Sequence, residues 1–361
     1  MNKKKYESLK DELLDFITKN NLTKGSKLPK VREMIKTFGY SYATINRTLL
    51  EMAHDGYITK IQGSGIFVNF DGVPGEGTTN TKQVAFIIPK ALSNGKIFTD
   101  ILSGLRRSLE KEKYYLWMAI SNMSHEKEKE TIERLIENNV EGMVIFLEDS
   151  YRLDYSHIAK LKERNFPFVL VDRFIPELDT DYVVVNNRDA MIRVCSYLKY
   201  TDRCDSIIFI SHEDTATSHY EKIEGFRNAM KILYNNDNPE ICNIEEFIEN
   251  YDTLNKQDKM VGLFFYDDLE IAILRKRLEE KGVSLSENFK IFGYNNCYEV
   301  HNYPTVEQFN DMVGEKAGEL LIRRMKNPQI ETDHERIEPK LVIPDGVGGT
   351  KYEVLFNPVG D

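Results

Sequence analysis

The sequence predicts an α/β protein in two unequal parts: a small helical head closed by a β-hairpin, and a larger body of two lobes with parallel sheets. Three observations lead there. Apolar residues recur at helical spacing through residues 9–52 and then give way to two β-rich runs around a glycine-rich tip. Residues 71–81, with three glycines and one proline, carry no periodicity and read as a flexible linker. From residue 82 onward, short apolar runs alternate with amphipathic segments of helix length, the order that gives parallel strands joined by right-handed crossovers.

Composition bounds the function. A chain of 361 residues, 41% hydrophobic and 29% charged, is long enough for two or three domains and too apolar to stay disordered. No run approaches the roughly 18 apolar residues of a bilayer-spanning helix, so no membrane partner is expected. Lys10, Asp11, Glu12 and Asp15 stand where a signal peptide would be apolar, and a cytoplasmic location is the expectation. Cys195, Cys204, Cys242 and Cys297 lack the CxxC spacing of a zinc site or a disulfide framework and read as reduced thiols. Charge is divided: residues 1–70 hold 12 Lys+Arg against 7 Asp+Glu, whereas the whole chain carries −10. A basic head on an acidic body suits a head that meets a polyanion, because phosphate attraction is local and screened beyond about 8 Å.

Element by element, the head spells a helix-turn-helix with a wing. Leu9, Leu13 and Ile17 give a first helix one apolar stripe, with Lys3, Lys4, Lys5 and Lys10 gathered toward its start. A second, short helix is expected to open at Pro29, turn Val31, Met34 and Ile35 inward, and stop at Gly39. Ser41 can cap a third helix with Ile45, Leu49 and Met52 on its inner face and Gly56 at its end. The runs 57–61 and 66–68 then flank Gln62, Gly63, Ser64 and Gly65, a hairpin whose tip can lie against DNA. On the third helix, the outer face offers Tyr42, Ala43, Asn46 and Arg47, suited to reading base edges in a major groove. The alternative, a solvated face of an ordinary amphipathic helix, does not explain the order of helix, turn, helix and hairpin before a linker.

These residues carry a resemblance. Leu28, Pro29, Lys30, Val31, Arg32, Glu33 and Met34, then the stretch from Gly39 to Ile45, then Gly56, Tyr57 and Ile58 with 62–68, resemble the DNA-binding domain of GntR-type regulators. The resemblance implies DNA contacts by Arg32, Ser41, Tyr42, Ala43, Thr44, Asn46, Arg47, Lys60, Gln62 and Gly63. In that family two basic residues of the recognition helix read guanines; here Tyr42 and Asn46 stand in their places. An asparagine pairs bidentately with adenine N6 and N7, so the operator is expected to be richer in A·T.

In the body, runs 84–88, 115–120, 143–147 and 168–171 read as strands of a first sheet, with helices around 101–109, 132–136 and 158–161. Runs 183–185, 207–210, 262–265 and 290–292 read as a second sheet, with helices near 189–199, 221–234 and 268–281. Two sheets imply two lobes, about 82–183 with 308–337 and about 184–307 with 338–361, and a cleft at the carboxyl ends of the strands.

Residues 166–173, 220–226, 265–268, 291–296 and 303–308 resemble the effector domain of LacI/GalR regulators, itself similar to periplasmic sugar-binding proteins. Joined to a GntR-type head, this looks like the arabinose-repressor type of regulator. By that resemblance Asp172 accepts sugar hydroxyls, Lys222 replaces a usual arginine, Asn295 replaces a common aspartate, Gln308 lies at the return to the first lobe, and Ser218, Arg173 and Phe98 are neighbours. The plain alternatives are an N-cap or loop acid for Asp172 and a solvated helix lysine for Lys222.

Enzyme signatures are missing. The histidines at 54, 125, 157, 212, 219, 301 and 334 show no HExxH spacing, and no adjacent carboxylate set is expected to complete a metal site. GxSxG and Walker motifs are absent. No cofactor is therefore expected. The alternatives are a pyridoxal-phosphate aminotransferase-like body, for which about 280 residues is short, and a sugar-binding module without specific DNA recognition. The reading is a repressor of sugar-utilisation genes, not an enzyme: a homodimer whose heads grip operator DNA until a monosaccharide closes the lobes.

Overall fold

The computed structural model describes residues 5–20, 22–54, 57–61, 65–69, 82–90, 95–148, 154–212, 216–297, 302–344 and 350–353. Lys3, Lys4, Gly56, the tip residues Gln62, Gly63 and Ser64, and the linker 71–81 lie outside them. The chain separates into two units, Met1–Thr81 and Lys82–Asp361.

In the first unit, helices α1 (Lys5–Lys19), α2 (Val31–Phe38) and α3 (Tyr42–His54) precede strands β1 (Ile58–Ile61) and β2 (Gly65–Val68). The stripe Leu9, Leu13 and Ile17 is fully buried against Met34, Ile45, Leu49 and Met52, and the hairpin adds Ile58 and Val68 to this core. Gly39 closes α2 in the left-handed conformation at φ 73°, donating its N–H to Ile35 O. Helix α2 starts two residues later than Pro29. Lys30 is extended there, and its N–H donates to Glu33 Oε2 at 2.9 Å, so a side chain downstream rather than the proline satisfies the helix start. The hairpin is antiparallel, pairing Ile58 with Val68 and Ile61 with Gly65. It gains a third segment that periodicity did not announce, since Leu28 N–H donates to Ile66 O and Val68 N–H to Ser26 O, both near 2.9 Å.

In the second unit, β3 (Gln83–Ile88), β4 (Tyr115–Ile120), β5 (Gly142–Ile145), β6 (Phe168–Val171), β7 (Tyr182–Val185) and β13 (His334–Ile337) form one sheet in the order β13-β7-β6-β5-β3-β4. Every pairing in it is parallel. Helices α4 (Lys96–Lys111) and α11 (Asn310–Lys326) cover one face, packing on Val84, Phe86 and Val144. On the other face α5 (His125–Glu137) and α6 (Ser156–Glu163) pack on Ala85, Ile87 and Met143. The second sheet, β11 (Phe289–Phe292), β10 (Val261–Phe265), β8 (Ser206–Ile210) and β9 (Ile241–Cys242), is also parallel. It lies between α7 (Asn187–Tyr200) with α8 (Thr217–Tyr234) and α9 (Ile244–Asn255) with α10 (Asp268–Glu280). Continuous apolar runs such as 261–265, buried throughout, are what a sheet covered on both faces requires.

Two sequence readings need correction. Residues 183–185 belong to the first sheet, pairing Val171 with Val183 on one side and Val183 with Glu335 on the other. An apolar strand that can be buried on either side does not declare which sheet it joins. Strands β12 (Thr305–Glu307), β14 (Lys340–Pro344) and β15 (Thr350–Glu353) make a separate antiparallel sheet, which the alternation did not reveal.

Candidate functional site

On the head, the polar face of α3 is open. Tyr42 is 65% exposed, Ala43 and Arg47 are exposed, and Asn46 is half-buried beside the core residues Ile45 and Leu49. Ser41 and Thr44 serve the helix start: Thr44 N–H donates to Ser41 Oγ at 3.2 Å, and the two hydroxyls lie 2.9 Å apart. Arg47 Nε donates to Glu51 Oε1 at 3.2 Å, an exposed i,i+4 pair that a phosphate or a base can displace at little cost. Arg32 is exposed on α2. Lys60 lies opposite Ile66 on the hairpin, where partial burial lowers its pKa. Gln62 and Gly63 fall outside the described residues. A capped helix presenting small, amide and guanidinium groups is shaped for a groove, whereas the buried stripe fixes its orientation.

In the body, a cavity of about 350 Å³ opens at the carboxyl ends of both parallel sheets. Pro89, Phe146 and Asp172 follow β3, β5 and β6; His212, Tyr266 and Asn295 follow β8, β10 and β11. Phe98, Asp172, Arg173, Ser218, Lys222, Asn295 and Gln308, separated by up to 210 residues in sequence, all line it. Asp172 and Asn295 adopt left-handed backbone conformations at φ 63° and 88°. Aspartate and asparagine tolerate this region better than other residues with a Cβ, and such conformations concentrate at binding sites.

The polar groups are arranged in two sets. Asp172 Oδ2 lies 3.5 Å from Arg173 Nε and accepts from Ser218 Oγ at 3.4 Å. Arg173 also donates Nη1 to Leu147 O at 3.2 Å and to Glu148 O, which fixes its guanidinium 5.3 Å from the Phe146 ring. Opposite, Gln308 Nε2 donates to Asn295 Oδ1 while Asn295 Nδ2 donates to Asp267 Oδ2, leaving a relay of carboxylate and amides at the wall. Lys222 is not a solvated lysine. Its ammonium is buried, 3.9 Å from the centroids of both Tyr266 and Tyr294. Tyr294 in turn donates to Asn187 Oδ1 at 2.8 Å, and its burial, with Asp172 and Glu221 near, holds its hydroxyl protonated. Phe98 and Phe146 meet edge-on at 4.9 Å and supply an apolar face. Carboxylate, amide and ammonium groups around an aromatic wall match a compact polyhydroxylated ring, whose hydroxyls donate and accept and whose C–H face is apolar.

Sequence reading did not single out Tyr266, Asp267, His212 or Phe146 as lining residues. Part of the signal was available, because Tyr266, Asp267 and His212 all stand within two residues of the carboxyl end of a buried strand. His125, Glu128 and His157 also come together, their ligand atoms all within 4.8 Å, although no metal spacing marks them in the sequence.

Residues 84–273 match the family described as periplasmic binding protein domain, and residues 5–68 match bacterial regulatory proteins of the gntR family. The arabinose metabolism transcriptional repressor of Geobacillus stearothermophilus is 22% identical, over 94% of this chain and 96% of its own length. A LacI family transcriptional regulator from Enterococcus faecium, solved with bound ribose, is similar at TM-score 0.58 and 20% identity over 72% of this chain and 96% of that one. A periplasmic binding protein/LacI transcriptional regulator from Alkaliphilus metalliredigens, complexed with D-xylulofuranose, gives TM-score 0.59 and 19% identity over 76% and 100%. Among the described residues no helix is long and apolar enough to cross a membrane.

Proposed function

Since this chain belongs to the periplasmic binding protein domain family and carries a gntR-type head, we propose that it is a repressor of sugar-utilisation genes, controlled by a monosaccharide in the body's cavity. The observation that carries this reading is the cavity itself: about 350 Å³, at the carboxyl ends of two parallel sheets, lined by Asp172, Asn295 and Gln308 together with Phe98 and Phe146. A cavity of this size suits one sugar ring, and the pentoses in the two related structures, with the arabinose repressor, point to a pentose first. Asp172 accepts hydroxyls, Lys222 and Asn295 donate, and Phe98 with Phe146 covers the ring's apolar face. Arg32, Ser41, Tyr42, Ala43, Thr44, Asn46, Arg47, Lys60, Gln62 and Gly63 form the DNA-contacting set of a cytoplasmic, non-enzymatic regulator.

The working unit is a homodimer. The edge strand β4 exposes Tyr115, Trp117, Met118 and Ile120, and a groove of about 600 Å³ runs beside it, lined by Leu102, Leu109, Tyr114 and Leu116. An apolar sheet edge left open invites pairing, and a second copy closes it. Two heads then meet a palindromic operator. Trp117→Lys is expected to shift the protein from dimer to monomer in sedimentation; an unchanged sedimentation coefficient removes this face from the interface.

Sugar and operator must be coupled reciprocally. Calorimetric titration with pentoses, in the absence and presence of an operator selected from random DNA, tests this. Sugar affinity is expected to fall when operator is bound, by the factor by which sugar weakens operator binding. Equal sugar affinity in both titrations overturns the allosteric reading, and no heat with any pentose or hexose overturns the choice of ligand.

A further inference from the structure

We propose that His125, Glu128 and His157 form a site for a single divalent cation of the zinc class, set in the first lobe outside the sugar cavity. His125 and Glu128 occupy the first turn of α5, three residues apart and so on one face of the helix. His157 comes from the first turn of α6. One ring nitrogen from each histidine and one carboxylate oxygen fall within 4.8 Å of one another, a nitrogen-rich set with an open position, as zinc takes it.

Three features separate this cluster from an ordinary buried ion pair. Glu128 and His157 are 2% and 5% exposed, with His157 Nε2 only 2.9 Å from Glu128 Oε1, so the pair is rigid and shielded from water. A histidine–carboxylate pair alone gives no role to the second imidazole. Yet the His125 ring is held edge-on to His157, centroids 4.8 Å apart. The Nδ1 atom of His157 is buried and has no hydrogen-bond partner among the described residues. Among the described residues, then, one buried nitrogen of this ring goes unmatched. The anionic side of the site is supplied in part from outside the triad: Asp154, capping Ser156, places a further carboxylate near both rings. Imidazole nitrogen and carboxylate oxygen together are a donor set that suits a divalent cation of the zinc class.

The site is also well supported. Glu128 Oε2 accepts from Glu148 N–H at 3.1 Å, which holds the carboxylate plane, as the outer partners of metal ligands do. Through Glu148 O the same segment receives Arg173 of the cavity, but the cation site uses none of the groups assigned to sugar and stands independently of that reading.

The test uses the full, untagged chain, stripped by chelator and titrated with Co²⁺ and then Zn²⁺. One equivalent of Co²⁺ is expected to give visible d–d absorption of a four- or five-coordinate ion, and Zn²⁺ to displace it and raise the melting temperature. His125→Ala, at a half-buried position that tolerates truncation, is expected to weaken Co²⁺ binding at least tenfold, and Glu128→Gln and His157→Gln likewise. His334→Ala, remote from the cluster, retains the band. Circular dichroism establishes that the variants are folded; should Glu128→Gln or His157→Gln unfold, His125→Ala decides alone. Absence of a one-equivalent band in the parent protein, or His125→Ala binding within tenfold of it, overturns the proposal.

Discussion

The head and the body solve the same problem, holding a few polar groups in fixed positions, by different routes. In the head, the residues proposed to read DNA, from Tyr42 to Arg47, lie within two turns of one helix, and the buried stripe Ile45, Leu49 and Met52 of that helix fixes their direction. In the body, the cavity draws on residues from Pro89 to Gln308, delivered by several strand ends and helices. Local geometry makes the first site; the mutual packing of two sheets and their helices makes the second. The body is therefore the part that a single packing fault can dismantle, whereas the head answers mainly to changes in its own side chains.

The sharpest break of that contrast is at the contact between α4 and α11. A Cβ at Gly314 would lie 1.9 Å from Ile101 O, and one at Gly104 would lie 1.8 Å from Asp311 O. Backbone on both sides cannot yield without separating the helices, so Gly314→Ala should cost ~3 kcal/mol or more, in the range of severe overpacking. Trp117, the one tryptophan of the chain, sits in the body's sheet and reports that transition by fluorescence. The unfolding midpoint of the body should drop sharply in the Gly314→Ala protein. A Gly314→Ala protein as stable as its parent would show that the helices are free to move apart. Second in size, Asp172→Asn keeps the left-handed backbone and the shape but removes the charge, and should weaken pentose binding by ~2–3 kcal/mol, the range for hydrogen bonds to charged groups. Calorimetry measures it, with the operator affinity of the sugar-free protein unchanged.

How much was legible follows the same division. Leu9, Leu13 and Ile17 announced the first helix and proved fully buried, because helical periodicity is a local signal. Gly39 announced the end of α2 for a similar reason. The body's alternation of strand and helix was legible, but sheet membership was not: nothing in 183–185 tells that Val183 pairs with Val171 and Glu335. Helix α9, with Ile244, Phe247, Ile248, Tyr251 and Leu254 turned to the core, was not read from the sequence, where acidic residues interrupt that stripe. Phe98, Asp172 and Gln308 were named through resemblance rather than pattern, and the convergence of His125 with His157, on different helices, has no sequence signal of its own. Pairing across distance is decided by packing, which one sequence does not display.

The local site can be tested without disturbing its fold. Asn46 is half-buried on the open face of α3, and Asn46→Ala should remove about 1–3 kcal/mol of discrimination at one A·T position, the range of a bidentate amide–adenine contact. Competition between operator variants measures this, and pentose binding should be unaffected. Equal loss at every base pair would assign Asn46 to the phosphates instead.

The smallest effect is a pH dependence confined to the body. Asp268 is fully buried at the start of α10, where burial raises its carboxyl from 3.8 to about 6 even though Cys297 N–H and Thr305 Oγ1 both donate to it at 2.9 Å. Gly293 passes so close that a Cβ there would lie 1.9 Å from Asp268 Oδ1, so the carboxyl has no room to turn toward water. A carboxyl whose folded pKa is raised favours the folded state most when protonated. That contribution is fully present below about pH 4 and is lost as pH rises through about 6. Between pH 5 and pH 7.5 the body should therefore lose roughly 1–2 kcal/mol relative to Asp268→Asn, in which this titration is absent. Denaturant unfolding followed at Trp117 compares the two proteins at both values. A parallel pH response in parent and variant would place the ionised carboxylate, satisfied by its two donors, in the folded protein across the whole interval.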